Sequence, residues 1–297
     1  MYHLPVLLEE SINALNINPE GIYIDLTFGG GGHSKLILKK LTKGKLIAFD
    51  KDKDAEKNIL KNGNFIFING NFMYLKNYLL YYGIKKVDGI LGDLGVSSHH
   101  FNEKKRGFSF RFDGTLDMRM NTNSNLKAKD ILNNYTENNL YKIFKNYGEI
   151  KNCKKLINLI TTYRRDNEFN KIFDFLEAIK IAIPKNKENK YLAKVFQALR
   201  IEVNQEIKVL KKFLLQTPKI LKKNGRLVII SYHSLEDRIV KKFFKSGNFD
   251  GKIEKDFFGN IINDLKIINR KVIIPSEKEL KNNKRSRSAK LRIAEKN

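Results

Sequence analysis

Short apolar runs alternate with amphipathic helical patterns over the first hundred residues. The apolar runs are rich in Ile, Leu, Val and Phe and have the length of buried strands. They lie at 21–26, 45–50, 65–68 and 87–94, and helical patterns separate them at 34–41, 54–61 and 73–82. This alternation predicts an α/β fold in which helices cover both faces of a parallel sheet.

The alternation stops near residue 103. A basic and aromatic stretch at 106–111 is followed by polar helical patterns as far as Pro184, and strand-like runs return at 226–231, 266–274 and 289–294. Because sheet signals resume after the helical stretch, we predict an inserted helical domain. The predicted bounds are 103–192 for the insertion, and 1–102 with 193–297 for the discontinuous sheet domain.

The most regular helical pattern runs from Leu192 to Leu214. Its apolar positions recur every three or four residues, which predicts one long helix packed on the sheet. Gln197, Arg200 and Asn204 share another face of this helix because they are spaced in the same way. These three side chains either line a cleft or face solvent, and their spacing alone favours solvent.

Basic residues greatly outnumber acidic ones. The chain has 57 Lys and Arg against 32 Asp and Glu, a formal net charge of +25, which favours a polyanionic partner. Only 12 of the basic residues are arginine, so codon drift in an AT-rich genome accounts for part of this charge.

Cysteine content and hydropathy indicate a reducing compartment. The single cysteine, Cys153, excludes an internal disulfide and a cysteine-based zinc site. No run approaches the roughly 18 apolar residues of a membrane span, and the first ten residues lack the pattern of a secretory leader. These features predict a cytoplasmic protein without a membrane association.

A run of four glycines follows the first predicted strand, between Asp25 and His33. This position, after a strand and before a helix, is where doubly wound sheets bind nucleotides. Asp50 ends the next strand, where a carboxylate can bind a ribose. The dinucleotide fingerprint is imperfect, because Ser34 stands where its third small residue belongs. S-adenosylmethionine is therefore favoured over NAD as the cofactor.

Asp93 ends the fourth predicted strand and is followed by two serines, Ser97 and Ser98. Chemistry in open α/β sheets takes place at the carboxyl ends of the strands. A buried carboxylate is costly when it has no function, so we predict a functional role for Asp93.

Taken together, these segments resemble the RsmH/MraW family of bacterial methyltransferases. The resemblance spans nearly the whole chain and rests on the segments 3–10, 25–34, 93–98, 106–111, 116–120, 147–149, 196–201, 231–238 and 285–292. It implies a class I Rossmann-like, S-adenosylmethionine-dependent methyltransferase sheet with an inserted small helical domain that recognises the substrate.

The resemblance also implies an activity and a partner. Members of this family methylate the exocyclic N4 of a cytidine in the decoding region of 16S ribosomal RNA, in the small subunit. The expected partner is this RNA within an assembled or nearly assembled 30S subunit, and naked RNA is the alternative form of the substrate. Methyl transfer from a sulfonium needs no metal, so none is predicted.

The family's cofactor residues carry over onto seven positions of this chain. They are Gly31, Gly32, His33, Asp50, Phe72, Asp93 and His100. Two positions depart from the family pattern, which usually has glutamine at His100 and aspartate at Asn102. Histidine at residue 100 can still donate one hydrogen bond near the adenine.

Catalysis requires that the cytosine amine be oriented toward the methyl group and lose a proton. The candidates for this role are Asp93, Ser97 and His233, with Ser98 and Ser234 beside them. His233 alternatively makes a structural hydrogen bond at a strand end.

Cationic and stacking side chains are the candidates for RNA binding. They are Arg106, Phe108, Phe110, Arg111, Arg119, Arg200, Arg238, Arg285 and Arg287, and Lys284, Lys290 and Arg292 of the basic tail add further phosphate contacts.

Two other classes of protein compete with this interpretation. A nicotinamide-dependent oxidoreductase would use the same sheet and Asp50, but it has no need for the basic tail. A non-catalytic ribosome-assembly factor would keep the basic surface while its cofactor loop decays. The intact glycine run, Asp50 and Asp93 favour the enzyme.

Overall fold

The computed structural model describes residues 5–96, 100–101 and 103–297. The chain forms two compact units, a sheet unit of Met1–Gly95 with Ile207–Asn297 and a helical unit of Val96–Glu206. The helical unit is thus longer at both ends than the stretch 103–192 that the sequence indicates.

The sheet unit contains a seven-stranded sheet. Its strands are β1 (Ile22–Asp25), β2 (Lys45–Asp50), β3 (Phe65–Asn69), β4 (Val87–Asp93), β5 (Leu221–Ser231), β6 (Leu265–Ile267) and β7 (Lys290–Lys296). They are ordered β3-β2-β1-β4-β5-β7-β6; the first five strands in this order are parallel to one another, and β7 is antiparallel to both β5 and β6. The predicted α/β class is confirmed.

Helices flank this sheet and build the helical unit. In chain order they are α1 (Leu8–Leu15), α2 (Gly32–Lys40), α3 (Leu75–Tyr81), α4 (Ala128–Asn134), α5 (Glu137–Asn146), α6 (Cys153–Tyr163), α7 (Ile172–Ile179), α8 (Glu188–Asn204), α9 (Glu206–Leu214), α10 (Thr217–Ile220), α11 (Ser234–Ser246) and α12 (Glu277–Asn282). Among the described residues, no helix is both long and apolar enough to cross a membrane.

The long helix that the sequence predicts over 192–214 is instead two helices, α8 and α9. The chain breaks between them at Gln205, whose φ of 50° lies in the left-handed region. Leu199 and the other apolar residues of α8 pack in the core of the helical unit, whereas Leu210 and Phe213 of α9 pack against the sheet. The prediction that the whole stripe packs on the sheet is therefore wrong for its first half.

Two shorter predictions also need correction. The helix predicted over 54–61 is a 3₁₀ helix, Lys53–Asn58, which begins where Asp52 accepts a hydrogen bond from Asp54 N. The strand predicted over 266–274 is shorter in the structure, where β6 ends at Ile267. Beyond it, the side chain of Asn269, and not its backbone, makes hydrogen bonds to the backbone of β7. Its Oδ1 accepts a hydrogen bond from Ile293 N at 2.7 Å.

Candidate functional site at the carboxyl edge

Three parallel strands end in the carboxylates that the sequence singles out. β1 ends at Asp25, β2 at Asp50 and β4 at Asp93. Because β1 lies between β2 and β4 and all three run in one direction, these ends share one edge of the sheet. We call it the carboxyl edge, and it is where open α/β sheets bind ligands.

Asp25 anchors the loop that follows β1. Its Oδ2 accepts a hydrogen bond of 2.6 Å from Ser34 Oγ, and its Oδ1 accepts one of 3.1 Å from Thr27 N. Asp25 and Ser34 are both buried, and burial raises the pKa of Asp25 although these hydrogen bonds lower it. Ser34 therefore ties the first turn of α2 to the end of β1.

The glycine run turns the chain between β1 and α2. Gly29 and Gly31 have φ values of 49° and 74°, in the region that favours glycine. A Cβ on Gly32 would lie 2.1 Å from Pro5 Cγ, and one on Gly31 would lie 3.0 Å from the Phe28 ring. Among the described residues, a Cβ on Gly29 would have a single neighbour within 4 Å, Thr27 O at 4.0 Å. Gly31 and Gly32 therefore serve packing within the protein, whereas Gly29 borders open space.

Asp50 joins the end of β2 to the glycine run. Its Oδ2 accepts a hydrogen bond from Gly29 N at 2.8 Å, and its Oδ1 accepts one from Asp52 N at 2.9 Å. Asn58 Nδ2 donates to Gly29 O at 2.9 Å and fastens the loop from its other side. Because a carboxylate offers about four acceptor sites, Asp50 can hold the loop and also bind ligand hydroxyls.

Asp93 is held by hydrogen bonds from two other loops of the sheet unit. Tyr232 Oη donates to Asp93 Oδ1 at 2.7 Å, and Asp93 N donates to Thr27 Oγ1 at 2.8 Å. Burial raises the pKa of Asp93 to about 6, although the charge of His33 and the Tyr232 hydrogen bond lower it. Asp93 is therefore an anion at neutral pH that accepts a proton more readily than an ordinary aspartate.

The turn from β5 to α11 positions Tyr232. Tyr232 N donates to Oε2 of the buried Glu236 at 3.0 Å. His233 caps α11, because its Nδ1 accepts a hydrogen bond of 3.4 Å from Glu236 N, and its Nε2 lies 3.2 Å from Glu236 Oε1. These contacts favour the structural alternative for His233, and its role in orienting a base stays a prediction.

Two other predicted cofactor residues pack within the sheet unit. His33 is buried, and its Nε2 lies 3.1 Å from Val6 O, so it fastens the N-terminal segment to α2. The partly buried Phe72 makes an edge contact with Phe213, with 5.5 Å between ring centroids. The contacts of His33 and Phe72 with a cofactor stay predictions.

The predicted RNA-binding side chains of the sheet unit differ in exposure. Those that are exposed are Arg238, Lys284, Arg285 and Arg287. Lys290 and Arg292 instead lie in β7, where both pair with Asp237 at 3.3 and 2.7 Å. Burial raises the pKa of Asp237, but these two cations outweigh it and hold that pKa below its usual value. The expectation that all tail cations are available to phosphates is therefore corrected for these two.

Arg106 and Arg119 hold a loop of the helical unit together. The buried Arg106 donates from Nη2 to Arg119 O and Met120 O, at 3.0 Å each. Arg119 pairs with Asp117 at 2.7 Å and donates to two further backbone carbonyls of the same loop. Both guanidinium groups therefore make hydrogen bonds within the helical unit. These bonds do not favour the predicted contact of Arg106 and Arg119 with RNA, which stays a prediction.

The neighbouring aromatic residues also belong to the helical unit. Phe108 is buried, and its ring centroid lies 4.8 Å from that of His100, also buried. Phe110 makes an edge contact with Phe196 at 5.4 Å, and Arg111 is exposed. Of this group, Arg111 is thus the side chain best placed to reach an RNA strand. Ser97, together with Ser98 and Asn102, lies outside the described residues.

The polar face of α8 does not face solvent, contrary to what its spacing favours. Arg200 makes a two-pronged pair with Glu206, at 2.8 and 2.9 Å, and both side chains are largely buried. Gln197 donates to a backbone carbonyl at 2.9 Å, and Asn204 bonds the backbone of the loop at 118–120. This face therefore braces the helical unit, which gives Arg200 a structural role.

Sequence reasoning missed two side chains of the carboxyl edge, Tyr232 and Thr27. Both lie within the segments that carry the family resemblance, 231–238 and 25–34, but nothing in their spacing links them to Asp93. The hydrogen bonds to Asp93 become visible only when β1, β4 and β5 are placed side by side.

The chain is similar in sequence to known methyltransferases. The sequence model of the MraW methylase family matches residues 1–297. The chain is 56% identical over 297 residues to "Ribosomal RNA small subunit methyltransferase H" of Parabacteroides distasonis, covering 99% of this chain and 97% of the relative. It is 56% identical over 296 residues to the protein of the same name in Christiangramia forsetii, covering 99% and 98%. A crystal structure of an rRNA methylase from Streptococcus thermophilus aligns with 99% of this chain and 98% of its own, at 13% identity and a TM-score of 0.39.

The raised pKa of Asp93 predicts a pH-dependent stability. Ionising this desolvated carboxyl costs free energy in the folded state, so the cost is absent below pH 4 and complete above the folded pKa of about 6. Asp93→Asn should therefore stabilise the protein, relative to wild type, by about 2–3 kcal/mol more at pH 7.5 than at pH 4. Urea unfolding at both pH values measures this difference.

The control for that measurement is Asp166→Asn, which removes an exposed carboxylate. Its effect should stay within about 0.5 kcal/mol at both pH values. If the difference between Asp93→Asn and wild type is the same at pH 4 and pH 7.5, burial does not perturb this carboxyl.

Proposed function

The chain belongs to the MraW methylase family, and from this premise we propose that it methylates the exocyclic N4 of a decoding-region cytidine in small-subunit ribosomal RNA. The relatives named above support the RNA, because both are named as small-subunit ribosomal RNA methyltransferases. The observation that carries the reaction is Asp93, a proton acceptor held at the carboxyl edge beside the glycine run.

S-adenosylmethionine is the cofactor of this family, and the carboxyl edge fits it. When bound, it supplies the electrophilic methyl group. Gly29 borders open space next to Asp50, so a ligand can approach the backbone there. Asp50 offers acceptors to the two ribose hydroxyls, and the start of α2 at Gly32 offers backbone N–H groups to a carboxylate.

Asp93 is the residue that we propose to handle the proton of the amine. The exocyclic amine of cytosine is conjugated with the ring and becomes cationic as it gains a methyl group. Asp93 Oδ1 accepts the Tyr232 hydrogen bond, which fixes the carboxylate plane, and no donor among the described side chains bonds Oδ2. Oδ2 can therefore accept a hydrogen from the amine and then its proton.

Tyr232 acts through Asp93 as a positioning residue. Burial and the adjacent Asp93 charge raise the pKa of Tyr232 well above 10, so its hydroxyl remains a donor at every pH at which the enzyme works. That hydrogen bond lowers the pKa of Asp93 against the effect of burial, which keeps the carboxylate ionised at neutral pH.

Exposed cations carry the proposed contacts with the RNA backbone. Arg238, Arg285 and Arg287 of the sheet unit and Arg111 of the helical unit are exposed, as phosphate-binding side chains must be. Whether the RNA is bound naked or within a 30S subunit is decided by comparing the two as substrates.

Loss of the Asp50 carboxylate should weaken cofactor binding. We expect Asp50→Ala to cost about 1.5–3 kcal/mol of binding free energy, the scale of hydrogen bonds to a charged group. Asp50→Asn, which keeps one acceptor, should lose less. Calorimetry with S-adenosylhomocysteine and with NAD measures both variants. Micromolar binding of NAD to the wild type, with no heat from S-adenosylhomocysteine, would contradict the proposed cofactor site.

Loss of the Asp93 charge should abolish methylation while leaving RNA binding nearly intact. We expect Asp93→Asn to slow single-turnover methylation of small subunits from a strain that lacks the modification by at least about 100-fold. In the wild type the rate should rise with pH to a plateau above about 6, since the ionised carboxylate is the acceptor. Tyr232→Phe should move that midpoint upward, because it removes the hydrogen bond that lowers the pKa.

Mapping the labelled nucleoside in the same reaction tests the proposed position. Label at the N4 of a decoding-region cytidine is expected, and label elsewhere would contradict the proposed target. Asp93→Asn activity within about threefold of wild type at saturating cofactor, in a variant that melts no lower than the wild type, would show that Asp93 is structural.

A further inference from the structure

The edge of the sheet opposite the carboxyl edge carries exposed aromatic rings and lysines. Three segments of the sheet unit lie there: the connection from α3 to β4, the irregular start of β5, and a hairpin at 253–262 that precedes β6. β6 is antiparallel to β7, and β7 is antiparallel to β5, so β6 begins at the same edge as β4 and β5. We define the amino-edge surface by Tyr81, Tyr82, Lys85, Lys86, Lys222, Lys223, Phe257 and Phe258.

The aromatic rings of this surface are unusually exposed. Phe257 is 98% exposed, Phe258 85% and Tyr81 83%. The rings are paired edge to face, Tyr81 with Tyr82 at 5.2 Å and Phe257 with Phe258 at 5.8 Å. Grouped exposed aromatics of this kind mark sites of interaction in soluble proteins.

The hairpin that presents Phe257 and Phe258 is held in shape by Asp256. Asp256 Oδ1 accepts hydrogen bonds from Phe258 N at 2.9 Å and Asn260 N at 2.8 Å, and its Oδ2 accepts one from Asn260 Nδ2. Lys255 and Ile261 bridge the two arms, and Gly259 has a φ of 87° at the tip. The two rings are therefore exposed on an ordered turn, which reduces the entropy lost when they bind.

Cations flank both aromatic pairs. Lys85 and Lys86 are exposed next to the tyrosines, and residues 71–87 contain no acidic side chain. β5 bulges out of register with β4 between Leu221 and Arg226, which exposes Lys222 and Lys223. Of these two lysines, Lys222 pairs with Asp88 at 2.8 Å. The segment 241–271, which contains the hairpin, is also basic, with eight basic and four acidic residues.

We propose that the amino-edge surface binds an unpaired segment of the same substrate RNA, as a second attachment point remote from the chemistry. This inference rests on the proposed function. Bases stack on exposed rings regardless of sequence, while lysines bind the backbone between them. Strand spacing separates β4 from β6 by about 14 Å, so one strand of RNA can reach both aromatic pairs. Protein interfaces are depleted in lysine, which favours RNA as the occupant.

Because catalysis takes place at the opposite edge, this surface should affect capture of the substrate and not the chemical step. The aromatic variant is Tyr81→Ala with Phe257→Ala and Phe258→Ala, and the cation variant is Lys85→Gln with Lys86→Gln and Lys223→Gln. Matched controls on the helical unit are Phe173→Ala with Ile181→Ala, and Lys154→Gln with Lys155→Gln, all exposed positions.

The expected result is a loss of affinity for unmethylated small subunits of at least about fivefold in the aromatic variant. The cation variant should also flatten the dependence of log K on log salt, by about 0.7 for each phosphate that the protein no longer neutralises. KM should rise in both while kcat, cofactor affinity and melting temperature stay unchanged, and the control variants should bind as wild type.

Two results would overturn the inference. One is unchanged affinity in both folded variants. The other is a wild type that sediments as a dimer and an aromatic variant that sediments as a monomer, because the surface would then be an interface between two copies of the protein. Equilibrium binding is measured without turnover, so a wild type that binds the subunit but labels another nucleotide would refute the proposed target and not this surface.

Discussion

Desolvation of the Asp25 and Asp93 carboxylates, the first buried and the second partly buried at the ends of adjacent strands, is the constraint around which the carboxyl edge is built. Burial raises the pKa of both, so each depends on polar partners to stay ionised. Asp25 takes its partners from its own loop and from Ser34 in α2, whereas Asp93 takes Tyr232 from the strand beyond it. The hydrogen bonds that these carboxylates require thus fix where the loops after β1 and β5 lie.

The fixed loops support the proposal that this edge binds a cofactor and that Asp93 accepts a proton there. Asp25 and Asp50 hold the glycine run from two sides and leave open space beside Gly29. Thr27 lies in the same loop, and its Oγ1 accepts a hydrogen bond from Asp93 N. This hydrogen bond ties the loop after β1 directly to the end of β4. A cofactor seated on the loop is thereby held in a constant position relative to Asp93, which is what methyl transfer requires.

The sequence predicts the sheet well because strands buried on both faces are continuous apolar runs, and β2 and β4 match their predicted bounds within one residue. The glycine run, Asp50 and Asp93 are equally visible, since strand ends in such a sheet share one edge. Contacts between distant segments are not visible in this way. The break at Gln205, the Tyr232 hydrogen bond and the pairing of Arg292 with Asp237 each depend on packing that spacing does not encode.

Desolvation, opposed by the Tyr232 hydrogen bond, sets the pKa of Asp93, and the proposed role of this carboxylate as proton acceptor depends on that pKa. The most direct test is a carboxyl-carbon NMR titration of the wild-type protein, with Asp93 identified by comparison with Asp93→Asn. The structure predicts a midpoint near pH 6 for this one resonance. A midpoint near pH 4, the pKa of an ordinary aspartate, would show that the pKa of Asp93 is not raised.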